Sequence, residues 1–167
     1  LAPHVPENWN AKKAFQLESL LSAEAFWAEV EAVGGRAPGY IRSGRLQPVA
    51  DDAALALARQ REDTAAELWQ GRAQWELIRA ECSDWAPHSP TGWLIHDTLS
   101  ALVHPRQACA ALVAALAVRG VEIVAEAPEA GQTLWATGVA GLETLNAGRP
   151  RLVGAGIKGQ AALLQLD

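Results

Sequence analysis

Apolar positions along this chain switch between a period near 3.6 residues and a period near 2, which predicts a mixture of helices and strands. Residues 1–9 carry two prolines and read as an extended lead-in. Asn10 suits the N-cap of a helix running to about Val33, with Leu17, Leu20, Trp27 and Val30 at helical spacing and Gly34-Gly35 as its stop. Residues 39–49 alternate between small turn residues and apolar ones, as a strand or tight hairpin would. Asp51-Asp52 opens a second helix, buried through Leu55, Ala58, Ala65, Leu68 and Trp69 and ended by Gly71. Residues 75–78 are readable as strand or helix. Residues 92–96 and 99–103 read as two strands around Asp97-Thr98. Pro105 fits the first turn of a third helix, with Cys109, Leu112, Val113 and Leu116 as its apolar face and Arg119-Gly120 at its end. Residues 121–124 and 133–136 are apolar enough for two more strands, too close together for a helical crossover. A short helix near residues 140–146 and a last strand after Arg151 complete an α+β pattern: a mixed, largely antiparallel sheet flanked by helices.

Composition narrows the class. The chain has 167 residues, 50% apolar and 20% charged, which excludes a disordered polymer. No apolar run approaches the ~20 residues of a membrane span. Net charge is −5, from 14 basic and 19 acidic residues, which argues against nucleic acid as a partner. Cys82 and Cys109 are too few for a disulfide scaffold and read as free thiols, so a cytoplasmic location is expected. The sequence lacks methionine and opens at Leu1-Ala2-Pro3 with no targeting pattern, so it reads as an excerpt of a longer protein. Seven tryptophans are present; Trp27, Trp69 and Trp75 are assigned to the core, and Trp93, beside Gly92, to a pocket wall.

Candidate chemistry is sparse. His4, His88, His96 and His104 make no i, i+4 pair, and no metal site is expected. A G-x-S-x-G elbow and a P-loop are both missing from the sequence. His96, inside a predicted strand, is either a satisfied strand residue or a group pointing into a substrate cavity. Lys158, in a glycine-rich stretch, is either a solvated turn lysine or a cation held near an anionic ligand or cofactor edge.

The order of short motifs resembles the FAD-dependent oxidoreductases of the D-amino-acid oxidase type, with glycine and sarcosine oxidases among them. Leu1-Ala2-Pro3 comes first, then a long helix containing Leu17-Glu18-Ser19-Leu20, then Gly39-Tyr40-Ile41-Arg42-Ser43-Gly44-Arg45-Leu46. Gly92-Trp93-Leu94-Ile95-His96 precedes Val103-His104-Pro105-Arg106 and a helix. Ala136-Thr137-Gly138 follows an apolar segment, and Ile157-Lys158-Gly159-Gln160 closes the series.

The resemblance implies FAD as cofactor and a small amine or amino acid as substrate. Hydride would pass from the carbon bearing the nitrogen to flavin, and the imine formed would hydrolyse. The family often uses no protein general base, so no catalytic residue is assigned. Leu1, Ala2, Pro3, Thr137 and Gly138 are the implied cofactor contacts. Trp93, Ile95, His96, Lys158 and Gln160 are the implied substrate contacts.

The implied organisation is a lead-in near the flavin over residues 1–10 and a mainly substrate-binding part over 11–119. A remnant of a Rossmann-like FAD domain would span 120–150, and a return strand 151–167. The N-terminal strand–G-x-G-x-x-G–helix unit that would hold the FAD pyrophosphate is absent, as is the family's C-terminal part; Gly154, Gly156 and Gly159 have that glycine spacing only superficially. This chain is therefore expected to be a central piece, inactive alone. Its unpartnered strands at 121–124 and 133–136 would offer edges for self-association. The alternative is a stand-alone α+β binding domain without cofactor. A flavin enzyme modifying a macromolecule is a third reading.

Overall fold

The computed structural model describes residues 1–80, 86–126, 131–157 and 159. Backbone contacts divide the chain into two compact units, Leu1–Ile123 and Val124–Asp167.

The first unit is built on one long helix. α1 (Ala11–Gly34) starts where the Asn10 side chain accepts the Lys13 amide, and it ends on Gly35. β1 (Tyr40–Ile41) and β2 (Arg45–Pro48) follow. α2 (Asp52–Trp69) is capped by Asp51, whose side chain accepts the Ala54 amide, with Asp52 in the first turn favouring the positive helix end. Then come β3 (Trp75–Arg79), β4 (Trp93–Asp97), β5 (Leu102–Val103) and α3 (Pro105–Val118), which has proline in its first turn.

The strands form two antiparallel sheets, a three-stranded one ordered β2-β4-β3 and a two-stranded one ordered β1-β5. Segment 39–49 is therefore not a hairpin: β1 pairs with β5 while β2 pairs with β4. Likewise β4 and β5 do not pair with each other across residues 97–101. In both places the chain leaves one sheet and enters the other. Pro48 sits in β2, an edge strand, where its missing N–H costs the ladder least.

α1 serves two cores. Leu17 and Leu20 pack with Val49, Leu55, Ala58, Ala65, Trp69, Trp75, Ile95 and Leu99. Farther along, Val30 packs with Ala111 and Ala115 of α3. The face of α3 that is fully buried is Ala108, Ala111 and Ala115; of the larger side chains expected from the sequence, Leu112 packs partly buried against that core. Cys109 is exposed, and Val113 and Leu116 are 50% and 37% exposed. Close approach decides this: a Cβ on Gly34 would sit 2.7 Å from the Ala115 nitrogen, so α1 and α3 meet where side chains are smallest. Trp69 and Trp75 are buried as expected, while Trp27 is half-buried and edge-on to Phe26.

A single acidic residue ties the strand ends together. Asp97 is completely buried at the end of β4. Its carboxylate accepts the Leu99 and Ser100 amides, the Ser100 hydroxyl and Arg45 Nε. Around it, Arg42 Nε donates to Thr98 O at 2.7 Å and the Gly44 amide to Ser100 O at 2.9 Å. The resulting turn links both sheets.

The second unit is different. α4 (Gly138–Asn146) is its one helix among the described residues, and it buries none of its side chains. The segments 121–124 and 133–136, expected as strands, join no ladder, and neither do described residues of the expected return strand after Arg151. A strand is stabilised by a hydrogen-bonded neighbour, and no described segment pairs with these. Their side chains are open: Val124 is 49% exposed, Leu134 91% and Trp135 74%. The observed fold is α+β, small antiparallel sheets flanked by helices.

Candidate functional site

Successive residues of a strand face opposite sides, so β4 divides the residues assigned to substrate. Ile95 is buried in the core shared with α2, and Trp93 packs against that same core. His96, between Ile95 and Asp97, faces the other side of the sheet. Trp93, Ile95 and His96 thus do not form one wall. Trp93 instead carries the Arg79 guanidinium 4.0 Å from its ring centre, with Arg59 at 6.0 Å.

His96 lines a cavity of about 500 Å³ together with Ser43, Gly44, Arg45, Leu46 and Pro87. The register places Leu46 of β2 on one side of His96 and Glu76 of β3 on the other. His96 Nδ1 lies 3.1 Å from Glu76 Oε1. The opposite ring nitrogen points to Gly44, where a Cβ would come within 3.3 Å of Nε2 and 2.7 Å of Asp97 O. Gly44 also has φ +72, a left-handed conformation that side chains disfavour. Glycine at this position therefore leaves Nε2 reachable. The Arg45 guanidinium is engaged with Asp97, whose position in the alternation puts it on the face opposite His96.

The segment assigned to cofactor has its own cavity, of about 640 Å³, inside the second unit. Trp135, Ala136, Thr137, Gly138, Leu142 and Leu145 are among its walls. Thr137 precedes α4, but its side chain makes no capping hydrogen bond, so the first amides of the helix are not claimed by it. Nothing lies within 4 Å of where a Gly138 Cβ would stand. An apolar wall with the Thr137 hydroxyl at its edge suits a planar aromatic group with a polar rim, and in that respect the residues fit a flavin.

Leu1, Ala2 and Pro3 belong to the first unit. The nitrogen and oxygen of Leu1 exchange hydrogen bonds with Ala101 at 2.8 and 2.9 Å, which fixes the lead-in beside β5. Lys158 and Gln160 lie outside the described residues. Among those described, no group of three or more His, Cys, Asp or Glu could hold a metal ion, and no helix is long and apolar enough to cross a membrane. Burial raises the Tyr40 phenol above its ordinary range; Arg42 opposes this and Glu24 adds to it. Its hydroxyl has no partner among the described residues.

The protein-family model DAO, FAD dependent oxidoreductase, matches residues 2–166. The chain belongs to that family. No curated protein matches it. This DAO-family chain is accordingly of a class that depends on FAD and acts on small-molecule substrates. Glu76 is the site residue that sequence reasoning missed. Residues 75–78 were readable as strand or helix, and only the β3–β4 register brings Glu76 to His96.

Proposed function

We propose that this DAO-family protein oxidises the C–N bond of a small amine or amino acid, and that the cavity beside His96 receives the substrate. One observation carries the reading: a cavity of about 500 Å³ on the sheet contains an imidazole held by a carboxylate at 3.1 Å. A cavity of that size suits a small molecule rather than a polymer, and its imidazole suits a hydrogen-bonding nitrogen.

Bound FAD supplies the hydride acceptor. Thr137 and Gly138, with the apolar wall of Trp135 and Leu142, are the residues proposed to hold it in the second unit. Leu1, Ala2 and Pro3 are proposed as neighbours of the cofactor through the resemblance alone, and Lys158 and Gln160 as substrate contacts on the same ground. In the first unit the chain's own residues do three things. His96 hydrogen-bonds the substrate, Glu76 fixes the imidazole, and Leu46 with Pro87 gives the cavity an apolar side. Apolar residues at positions 121–124 and 133–136 are proposed to promote self-association.

The test is anaerobic mixing of the native FAD-loaded holoenzyme that contains this chain with a panel of small amines, amino acids and 2-hydroxy acids. Bleaching of the flavin by a compound bearing nitrogen, with an imine-derived carbonyl product, is expected. Bleaching by 2-hydroxy acids alone would overturn the C–N assignment while leaving the cavity in place.

A further inference from the structure

The pairing of Glu76 with His96 does more than fill a strand position. We propose that His96 Nε2 takes the proton from the substrate's ammonium group, and that Glu76 is the positioning residue that keeps Nε2 free to do so. The proposal rests on the reading that this cavity receives an amine.

An aliphatic amine is an ammonium ion at neutral pH, since such groups lose their proton near about pH 10. Its nitrogen lone pair is then tied up in an N–H bond. Hydride cannot leave the neighbouring carbon until that pair can move into a C=N bond. So one N–H bond must break first, with its electrons staying on nitrogen. The acceptor forms the new bond: Nε2 of a neutral imidazole becomes N–H, and the ring becomes imidazolium. One positive charge enters the step on substrate and leaves it on His96.

Three features equip His96 for this. Glu76 Oε1 stands 3.1 Å from Nδ1, and an ionised carboxylate only accepts hydrogen bonds, so the ring hydrogen belongs on Nδ1 and the lone pair on Nε2. Glycine at position 44 puts no side chain against Nε2, where a Cβ would stand 3.3 Å away. The side chain is 30% exposed, so the proton received can pass on to water. Two charged groups among the described residues stand near the ring: Glu76 beside it, and Arg45, which also lines the cavity. Leu46 flanks the ring from β2, Pro87 lies across the cavity, and the Arg45 guanidinium is engaged with Asp97.

The experiment uses the same FAD-loaded holoenzyme and whichever amine bleaches it. His96→Gln is expected to lower kcat/KM about 10²- to 10⁴-fold at neutral pH. The loss should shrink as pH rises towards about 10, where the amine arrives already neutral. A merely structural role for His96 would not give that recovery. Added imidazole should restore part of the activity of His96→Ala, a second variant in case the first folds poorly. Glu76 is tested without turnover, through ¹⁵N shifts of the His96 ring. The Nδ1–H form is expected in the parent protein and should be lost in Glu76→Ala. Glu76→Gln, which keeps an accepting oxygen, should restore it.

If amines are oxidised and His96→Gln retains full kcat/KM, or if its loss is the same at every pH, the proton-acceptor role is overturned and the proposed function stands. If the ring tautomer ignores Glu76, the positioning role falls. If no amine bleaches the flavin, the proposed function fails and the proton-transfer role fails with it.

Discussion

The two units use similar material to different effect. Leu1–Ile123 and Val124–Asp167 are both rich in apolar side chains. In the first, Trp69, Leu94 and Leu99 are 1% exposed or less. In the second, no described residue is buried, and Leu134 and Ile157 are more than 90% exposed. The difference lies in partners, not in hydrophobicity. Every strand of the first unit has a hydrogen-bonded neighbour distant in sequence, and helices cover the sheet. Residues 133–136 have the composition of a strand and no neighbour to complete it. Apolar content permits a core; non-local pairing creates one.

The first unit's packing is densest at its centre. Trp69, 1% exposed, packs between α1 and the sheet. Trp69→Ala should cost about 3–5 kcal/mol in urea unfolding, the usual range for a large core residue cut to alanine. A cost below about 1 kcal/mol would mean that the first unit is no better packed than the second.

Asp97→Ala comes next. It removes the acceptor of four hydrogen bonds at the turn joining the sheets and leaves two backbone amides without their partner. A loss of about 3 kcal/mol is expected, because buried amides stripped of an acceptor keep their desolvation cost. Asp97→Asn should lose less, since an amide oxygen in the place of Oδ1 can still accept from both the Leu99 and Ser100 N–H groups. If both variants unfold like the parent, that turn does not hold the sheets together.

Local and non-local signals in the sequence divide along the same line. Helices were legible because their signals are local. Asn10, Asp51 and Pro105 each mark a helix start by their own chemistry, and all three helices begin there. Strand existence was also legible at 93–97. Partnership was not: whether residues 40–41 pair with 45–48 or with 102–103 depends on how the whole chain closes. The apolar face of α3 was misread for a related reason. Counting large side chains favours Val113 and Leu116, but Gly34 lets the helices meet along Ala111 and Ala115. At the site, His96 was legible as a strand residue with useful chemistry. Strand alternation alone separates it from Ile95, whereas Glu76 needed the register.

A smaller test concerns how the lead-in is fastened to the first unit. Glu7 receives two hydrogen bonds from Arg61, Nε to Oε2 at 2.9 Å and Nη2 to Oε1 at 2.8 Å. The Arg61 hydrogen bonds hold its carboxyl below the usual 4.5; burial opposes them, and the charges of Arg61 and Lys13 assist. A depressed carboxyl stabilises the fold above the unfolded-state value and loses that contribution as pH falls through the folded-state value. Glu7→Gln should therefore cost about 1 kcal/mol at pH 7, given partial exposure and paired geometry. The gap between variant and parent should close as pH falls below 4.5. A gap that is constant with pH would show that the carboxylate charge is not what fastens residues 1–9.

Leu134 and Trp135 are 91% and 74% exposed, so neither has a core to lose. The double variant Leu134→Ser, Trp135→Ser should change unfolding free energy by no more than about 0.5 kcal/mol. Its association should change more. Exposed apolar side chains on a segment without a strand partner are sites for contact between copies, so sedimentation should show less self-association than in the parent. A stability loss above about 2 kcal/mol would instead place both side chains in a core of the native protein. The second unit would then be packed like the first, and non-local pairing would no longer be what separates the two.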